Sequence, residues 1–277
     1  MKEDDISAPA DAEDEGGHRA AILHDDIYST LRHDLVTGGL VPGQRVSIRT
    51  LAERFETSFL PVRDALKRLV AEHALVMLPN RTVLVPMMTR ERFQELLQVR
   101  LMLETMLSRQ AAARIVHDEV VKLDAINEAM QQAVRDGDVR RYLAANHAFH
   151  FGLYEAGGSE VALPIVDKLW VQVGPFLNAV FNQQGTRSAG GNHAEVLKAL
   201  RRHDPIGVAE AIHSDLANAA DLILANVEFP EWAYEPKPRR MKHPNGGAHE
   251  QEALSQDGPK AAVSPDRRAS GRKANQE

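Results

Sequence analysis

The sequence predicts a mainly α protein in two parts: a small amino-terminal head of three helices closed by short strands, then a longer all-helical body. Three observations carry this prediction. Apolar residues recur at helical intervals through most of the chain, and nothing in the body reads as a strand. In "TLAERFETSFLPVRDALKRL", Thr50 to Leu69, one amphipathic pattern is interrupted at Glu56, Thr57 and Ser58 and resumes around Pro61, which marks a turn between two helices. Two β-like pieces, "LVMLP" and "RTVLVP", follow that helix pair and meet near Asn80.

Composition bounds the function. With 26% charged, 43% apolar and 5% aromatic residues, the chain has the make-up of a soluble, helix-rich protein. No apolar run approaches the roughly 20 residues needed to span a bilayer, so no membrane partner is expected. The amino terminus lacks the basic and apolar regions of a secretory signal, and the absence of cysteine fits a reducing compartment; a cytoplasmic protein is expected. Any metal site must then use His, Asp, Glu or Asn. The net charge of −6 is unevenly spread. Residues 1–17 hold one basic and seven acidic groups, residues 18–90 ten and seven, and residues 91–230 thirteen and eighteen. The head is therefore the cationic part. Residues 1–17 are read as a disordered acidic segment, 18–88 as the head domain and 90–230 as the body domain. From 231 to 277 Pro, Gly, Ser and scattered charge offer no apolar face, and a disordered tail is expected.

The head follows element by element. Ile22, Ile27, Leu31 and Leu35 mark the first helix, which the glycines of "TGGLVPG" stop. Ser47 can cap a short second helix, "IRTLAERF", with Leu51 and Phe55 inward. Ser58 can cap the third, and Pro61 is tolerated in its first turn because its missing N–H would have had no partner there. Val62, Leu66, Leu69 and Val70 then face inward, leaving Arg63 and Lys67 on the opposite side. Three helices, a two-stranded ribbon and cations on the third helix describe a winged helix-turn-helix, in which one helix fits the DNA major groove. A plain bundle with a solvated basic face is the alternative on spacing alone.

Residues Ile27 to Val85 resemble the DNA-binding head of the GntR superfamily of bacterial transcription regulators. The matching elements are the "G-x-L-x-P-G" turn ending at Gly43, "LAERF", Thr57-Ser58, "PVRDALKRL" and the "LPNR" wing. The resemblance implies operator contacts by Arg49, Ser58, Phe59, Leu60, Arg63, Asn80 and Arg81. Two departures stand out: Phe59 and Leu60 replace the Arg-Thr usual after the capping Ser, and Thr82 replaces the Gly usual after the wing Asn-Arg. Leu60 lies on the outward side, where it can touch a thymine methyl, whereas Phe59 is expected to pack against the neighbouring helix.

In the body, helices are predicted near 90–115, 118–136, 139–156, 159–183, 192–202 and 205–228. Polar residues interrupt their apolar faces. Asn146 and His150 sit at i and i+4 in the middle of the face marked by Tyr142, Leu143, Phe149 and Leu153. His193 shares a face with Val196, Leu197 and Leu200, and Asp215 lies about 60° from the centre of the last inward face, with His213 about 100° away on the other flank. Such a set can hold a divalent metal within the bundle, or form a hydrogen-bonded core network without one. Arg100 and Glu104 also share an apolar face, either as an internal pair or with Arg100 offering its fork to a carboxylate.

The resemblance extends into the body through "V-R-x-x-L-E" (Val99 to Glu104, with Met102 for a Leu), "N-x-x-x-H" with "L-Y-E-A-G-G" (Asn146 to Gly158), and "H-x-x-V-L-x-A-L-x-x-x-D" (His193 to Asp204). These are similar to the FCD effector domain of the FadR-like GntR branch, an FCD-like all-α bundle that commonly holds a divalent metal and responds to organic acids. The resemblance implies Asn146, His150, His193 and Asp215 as metal ligands, with Asp215 in the place of a final His and His213 as its substitute. Zn²⁺, Ni²⁺ or Mn²⁺ suits that donor set. Arg100 and Glu104 are the effector-binding candidates, and no organic cofactor is expected. The expected protein is a homodimeric regulator, commonly a repressor, that grips a roughly palindromic double-stranded operator and senses a small carboxylate. Two alternatives accompany it: a metal-dependent enzyme built on the same four residues, and a ligand-responsive protein whose head has lost specific readout.

Overall fold

The computed structural model describes residues 25–185 and 191–231. The predicted acidic segment 1–17, Ile22 and almost all of the predicted tail lie outside them. The described chain opens on a helix over 25–36 (α1), whose Ile27, Leu31 and Leu35 are buried. The next helices are α2 (Ile48–Arg54) and α3 (Phe59–Ala71). Ser47 caps α2 by accepting from the Thr50 N–H at 3.3 Å. The turn that follows carries Glu56 at φ +49°, and the Thr57 N–H donates to the Ala52 carbonyl at 3.0 Å.

Two expectations about α3 need correction. Ser58 occupies the cap position, but its side chain makes no capping bond. The cap oxygen ordinarily accepts from the second or third N–H of the helix, and the third residue here is Pro61, which has none. Phe59 does not pack against the neighbouring helix. It is 51% exposed, because as the first residue of α3 it precedes the turn that meets the core.

The wing has three strands rather than two. β1 (Arg45–Val46), β2 (Val76–Met77) and β3 (Val83–Leu84) pair antiparallel in the order β1-β3-β2, with Val46 opposite Val83 and Met77 opposite Val83 from the other side. β1 is too short to show alternation in sequence. It forms because β3 has a free edge, which Gly43 and Gln44 also use through two 2.9 Å bonds with Val85.

The body comprises α4 (Arg90–Ala112), α5 (His117–Asp136), α6 (Val139–Ala156), α7 (Ala162–Gln184), α8 (His193–Arg201) and α9 (Pro205–Asn226). Local chemistry sets the boundaries. Thr89, Asp138 and Asp204 cap α4, α6 and α9 with side-chain bonds to the first turn, and Gly137, at φ +69°, ends α5. Pro205 opens α9 where no N–H is needed. The long α4 packs on α9, α5 on α6, and α8 on α9, around Phe93, Leu107, Phe149, Leu153, Val196 and Ile212. Among the described residues the body has no strand, and no helix is long and apolar enough to cross a membrane.

One helix of the body also holds the head. Gly174 of α7 lies so close to the end of α1 that a Cβ there would stand 2.5 Å from the Leu35 carbonyl oxygen. One turn later, buried Asn178 donates through Nδ2 to the carbonyls of Leu35 (3.1 Å) and Leu40 (2.9 Å). Buried Asp34 of α1 accepts from Arg54 of α2 at 2.6 Å and from Arg140 of α6 at 2.8 Å.

Candidate functional site

Two regions gather the candidate residues. On the head, Arg49, Ser58, Phe59, Leu60, Arg63, Lys67, Asn80 and Arg81 are all exposed. Arg49 pairs with Glu53 at 3.0 Å and Lys67 with Asp64 at 2.8 Å, both at the surface. Such pairs contribute about 0–1 kcal/mol and exchange readily for phosphate. Arg63 and Arg81 make no ion pair among the described residues. The wing tip accommodates Thr82 without a glycine: Arg81 itself takes φ +64°, and Asn80 Oδ1 accepts from the Thr82 N–H at 3.1 Å. Asn80 therefore shapes the turn that presents Arg81.

In the body, Asn146, His150, His193 and Asp215 are all buried. His150, His193 and Asp215 each offer one ligand atom, all within 4.8 Å of one another. His150 Nε2 stands 3.3 Å from His193 Nε2 and 3.2 Å from Asp215 Oδ2. Asp215 Oδ1 is held by the Asn192 N–H at 2.8 Å, which leaves Oδ2 for the cluster. Asn146, one turn before His150, lines the same cavity. His213 does not. Two residues from Asp215, it is turned by roughly 200° on α9 and is exposed, which removes it as a substitute ligand.

The network behind His150 decides its tautomer. The Tyr154 hydroxyl lies 2.6 Å from Glu104 Oε2 and 2.9 Å from His150 Nδ1. Burial first, and Glu104 next, raise the Tyr154 pKa, so the phenol keeps its proton. That proton goes to the Glu104 carboxylate, so Nδ1 of His150 must be the donor to the phenol oxygen. In the neutral ring Nε2 then presents a lone pair toward His193 and Asp215. His193 is neutral at physiological pH: burial pulls its pKa down to about 4, His150 adding to the effect and Asp215 opposing it. For Asp215, burial alone would raise the pKa, but His150, His193 and the Asn192 N–H together bring it down to about 2. Two imidazole nitrogens and a carboxylate oxygen thus lie together as potential ligand atoms. The two distances from His150, 3.2 and 3.3 Å, are close to the about 3.3 Å that separates tetrahedral ligands bound at about 2.0 Å, while His193 Nε2 stands 3.8 Å from Asp215 Oδ1. The donor set fits a first-row divalent cation.

Glu104 belongs to this support. It is fully buried, and its oxygens accept from Arg100 Nε (2.6 Å), Tyr154 and Trp170 Nε1 (3.0 Å). Arg100 and Glu104 therefore form the internal pair, and Glu104 is not open to an effector or to acid–base work. Arg100 differs. Its guanidinium lies 4.7 Å from the Trp170 ring centroid, and it lines a cavity of about 130 Å³ together with Tyr142, Asn146, His150 and Asp215. Its Nη1 has no hydrogen-bond partner among the described residues. A carboxylate in that cavity would meet the guanidinium on one side and the metal-ligand cluster on the other.

Sequence reasoning did not single out Tyr154, Trp170 or Asn178. Tyr154 was findable, since it continues the Asn146–His150 stripe by one more turn. Trp170 and Asn178 sit within an apolar run, and periodicity cannot say which neighbour each will meet.

Comparison with known proteins adds independent findings. The model for "Bacterial regulatory proteins, gntR family" matches residues 23–85, and that for "FCD domain" matches 95–218. The chain is similar to the HTH-type transcriptional regulator McbR of Escherichia coli (strain K12), 29% identical over 198 residues that cover 69% of this chain and 90% of that protein. It is also similar to the gluconate operon transcriptional repressor of Bacillus subtilis (strain 168), 23% identical over 204 residues covering 70% of this chain and 82% of the relative. The solved structure of E. coli McbR/YncC matches with a TM-score of 0.69 at 27% identity, over 73% of this chain and 97% of that one.

Proposed function

Because this chain belongs to the GntR family of bacterial regulatory proteins and carries an FCD effector domain, it is a DNA-binding transcriptional regulator rather than an enzyme, and we propose that it is a metal-dependent, carboxylate-sensing repressor. Residues 18–88 act as the DNA-binding domain and 90–230 as the effector domain. Two copies grip a roughly palindromic operator, each presenting α3 to the major groove with Arg63 at a base edge and Arg49, Lys67 and Arg81 at phosphates.

His150, His193 and Asp215 hold Zn²⁺, Ni²⁺ or Mn²⁺, with Asn146 completing the set. When bound, the ion supplies a Lewis-acid contact for a small organic acid whose carboxylate also meets Arg100. Tyr154 and Glu104 keep the Nε2 lone pair of His150 directed at that site. Effector binding shifts the packing of α7, which touches the cavity through Trp170, Leu177 and Phe181 and the head through Gly174 and Asn178. The size of the response is bounded by the effector's differential affinity for the two arrangements.

The observation that supports this reading is the convergence of three potential ligand atoms, from His150, His193 and Asp215, beside a cavity-lining arginine. Elemental analysis of the purified protein, with a mobility-shift assay on its own upstream DNA across a panel of small carboxylates, tests it. About one divalent ion per chain and release of DNA by one carboxylate are expected. Metal-free protein that is still released by a carboxylate would remove the ion from the scheme.

A further inference from the structure

Phe59 and Leu60 are the first two residues of α3, and they are 51% and 63% exposed. Exposed apolar side chains are ordinary when scattered. These two are adjacent, and by helical spacing two cations follow on their side of α3. At 100° per residue, Leu60, Arg63 and Lys67 share one stripe of α3, and Phe59 lies about 40° from Arg63. Arg49 stands on the preceding helix, exposed as well. The side of the head fitted by charge to a polyanion therefore carries two bulky groups that can neither donate nor accept a hydrogen bond.

The DNA major groove offers one apolar feature, the C5-methyl group of a pyrimidine. The other base edges there are donors and acceptors. Pressing Phe or Leu against a guanine O6 or N7, or a cytosine amino group, would strip water from that atom without replacing the bond. Phe59 and Leu60 therefore select by attraction and by rejection together. We infer that the pair Phe59–Leu60 is a specificity determinant that reads thymine methyl groups in the operator, beside the base contacted by Arg63.

This rests on α3 being the helix that enters the groove, and it adds to that reading which chemical group the two apolar residues recognise. The position does not stand as lost readout in this account. Donor-based readout is replaced by methyl readout, and the operator should carry thymines where an arginine-bearing helix would favour guanine.

In vitro selection with the full chain on a random duplex library of unmodified nucleotides, followed by thymine-to-deoxyuridine exchange in the recovered site, tests the inference. The exchange removes the methyl group and leaves the hydrogen-bonding edge intact. Affinity should fall about fourfold for each contacted methyl. The double variant Phe59→Ala, Leu60→Ala should bind thymine and deoxyuridine duplexes equally. Both side chains are exposed, so this variant should keep the wild-type thermal midpoint. A specific site whose affinity is unchanged by deoxyuridine overturns the methyl assignment, as does a double variant that keeps the preference. Specific binding recovered only after cytosine methylation would move the methyl group to 5-methylcytosine and overturn the thymine assignment. If no specific site is recovered from the unmodified library or from the same library after cytosine methylation, the groove-docking reading itself fails.

Discussion

The head and the body carry comparable numbers of charged candidate residues and use them in opposite ways. On the head they point outward, and the ion pairs of Arg49 and Lys67 lie at the surface where water competes. In the body they point inward, and Arg100, Glu104, Tyr154, Trp170 and His150 are linked by short bonds away from solvent. The same side-chain types thus do different work. A charge in water can be handed to a new partner at little cost, whereas a buried one is committed to the partner it has. Substitutions in the body should therefore change folding and function together, and those on the head should change binding alone.

The sharpest way to break that contrast is at Glu104. Glu104→Ala leaves Arg100 buried without its counter-charge and removes the acceptor of Tyr154 and Trp170. A loss of about 3–5 kcal/mol in denaturant unfolding is expected; a change near zero would mean that the pair is far more hydrated than its burial implies. Asn178→Ala comes next. It deprives the Leu35 and Leu40 carbonyls of their donor, for about 1–3 kcal/mol by the same measurement.

Arg63→Ala should reverse the pattern. Stability should stay within about 0.5 kcal/mol of the parent, while a mobility-shift assay should show about 1–3 kcal/mol of base discrimination gone.

Protonation offers a graded version of the same comparison. His147 and His193 are each brought down to about 4 from an ordinary value near 6.5, burial being the largest cause for both. Between those two values the unfolded chain binds protons that the native body refuses. With chelator present, stability should therefore fall as pH drops from about 6.5 to about 4 and hold steady above that window. The smallest expected effect is at Lys67. Lys67→Ala should leave the unfolding curve unchanged and reduce the salt dependence of operator binding by about one phosphate contact.

Much of this organisation is legible in the sequence, and the gaps have physical causes. The helices of the body lie close to their predicted limits because Asp138, Gly137, Asp204 and Pro205 act through bonds and backbone preferences within a few residues. The inward set Asn146, His150, His193 and Asp215 follows from the same periodicity. What escaped depends on the partner across space. β1 exists only because β3 offers an edge. The free side chain of Ser58 reflects the missing donor of Pro61, which sequence could have shown. By its chemistry Phe59 is expected against the neighbouring helix, yet the first residue of a helix lies before the packed face begins. Asp215 lies nearer the inward face than His213 by spacing, and the packing of α9 leaves the first buried and the second exposed.

Asp34 stands where α1, α2 and α6 meet, accepting from Arg54 on one side and Arg140 on the other. A fragment ending before α4 would retain the first of these arginines and forfeit the second, along with the amide of Asn178 over the last turn of α1. Truncated versions cut at that seam would leave one oxygen of Asp34 without its arginine and two carbonyls bare, where the intact chain satisfies all three. Affinities measured on such a piece would then describe a damaged helix pair, and the full-length polypeptide is the proper specimen for them.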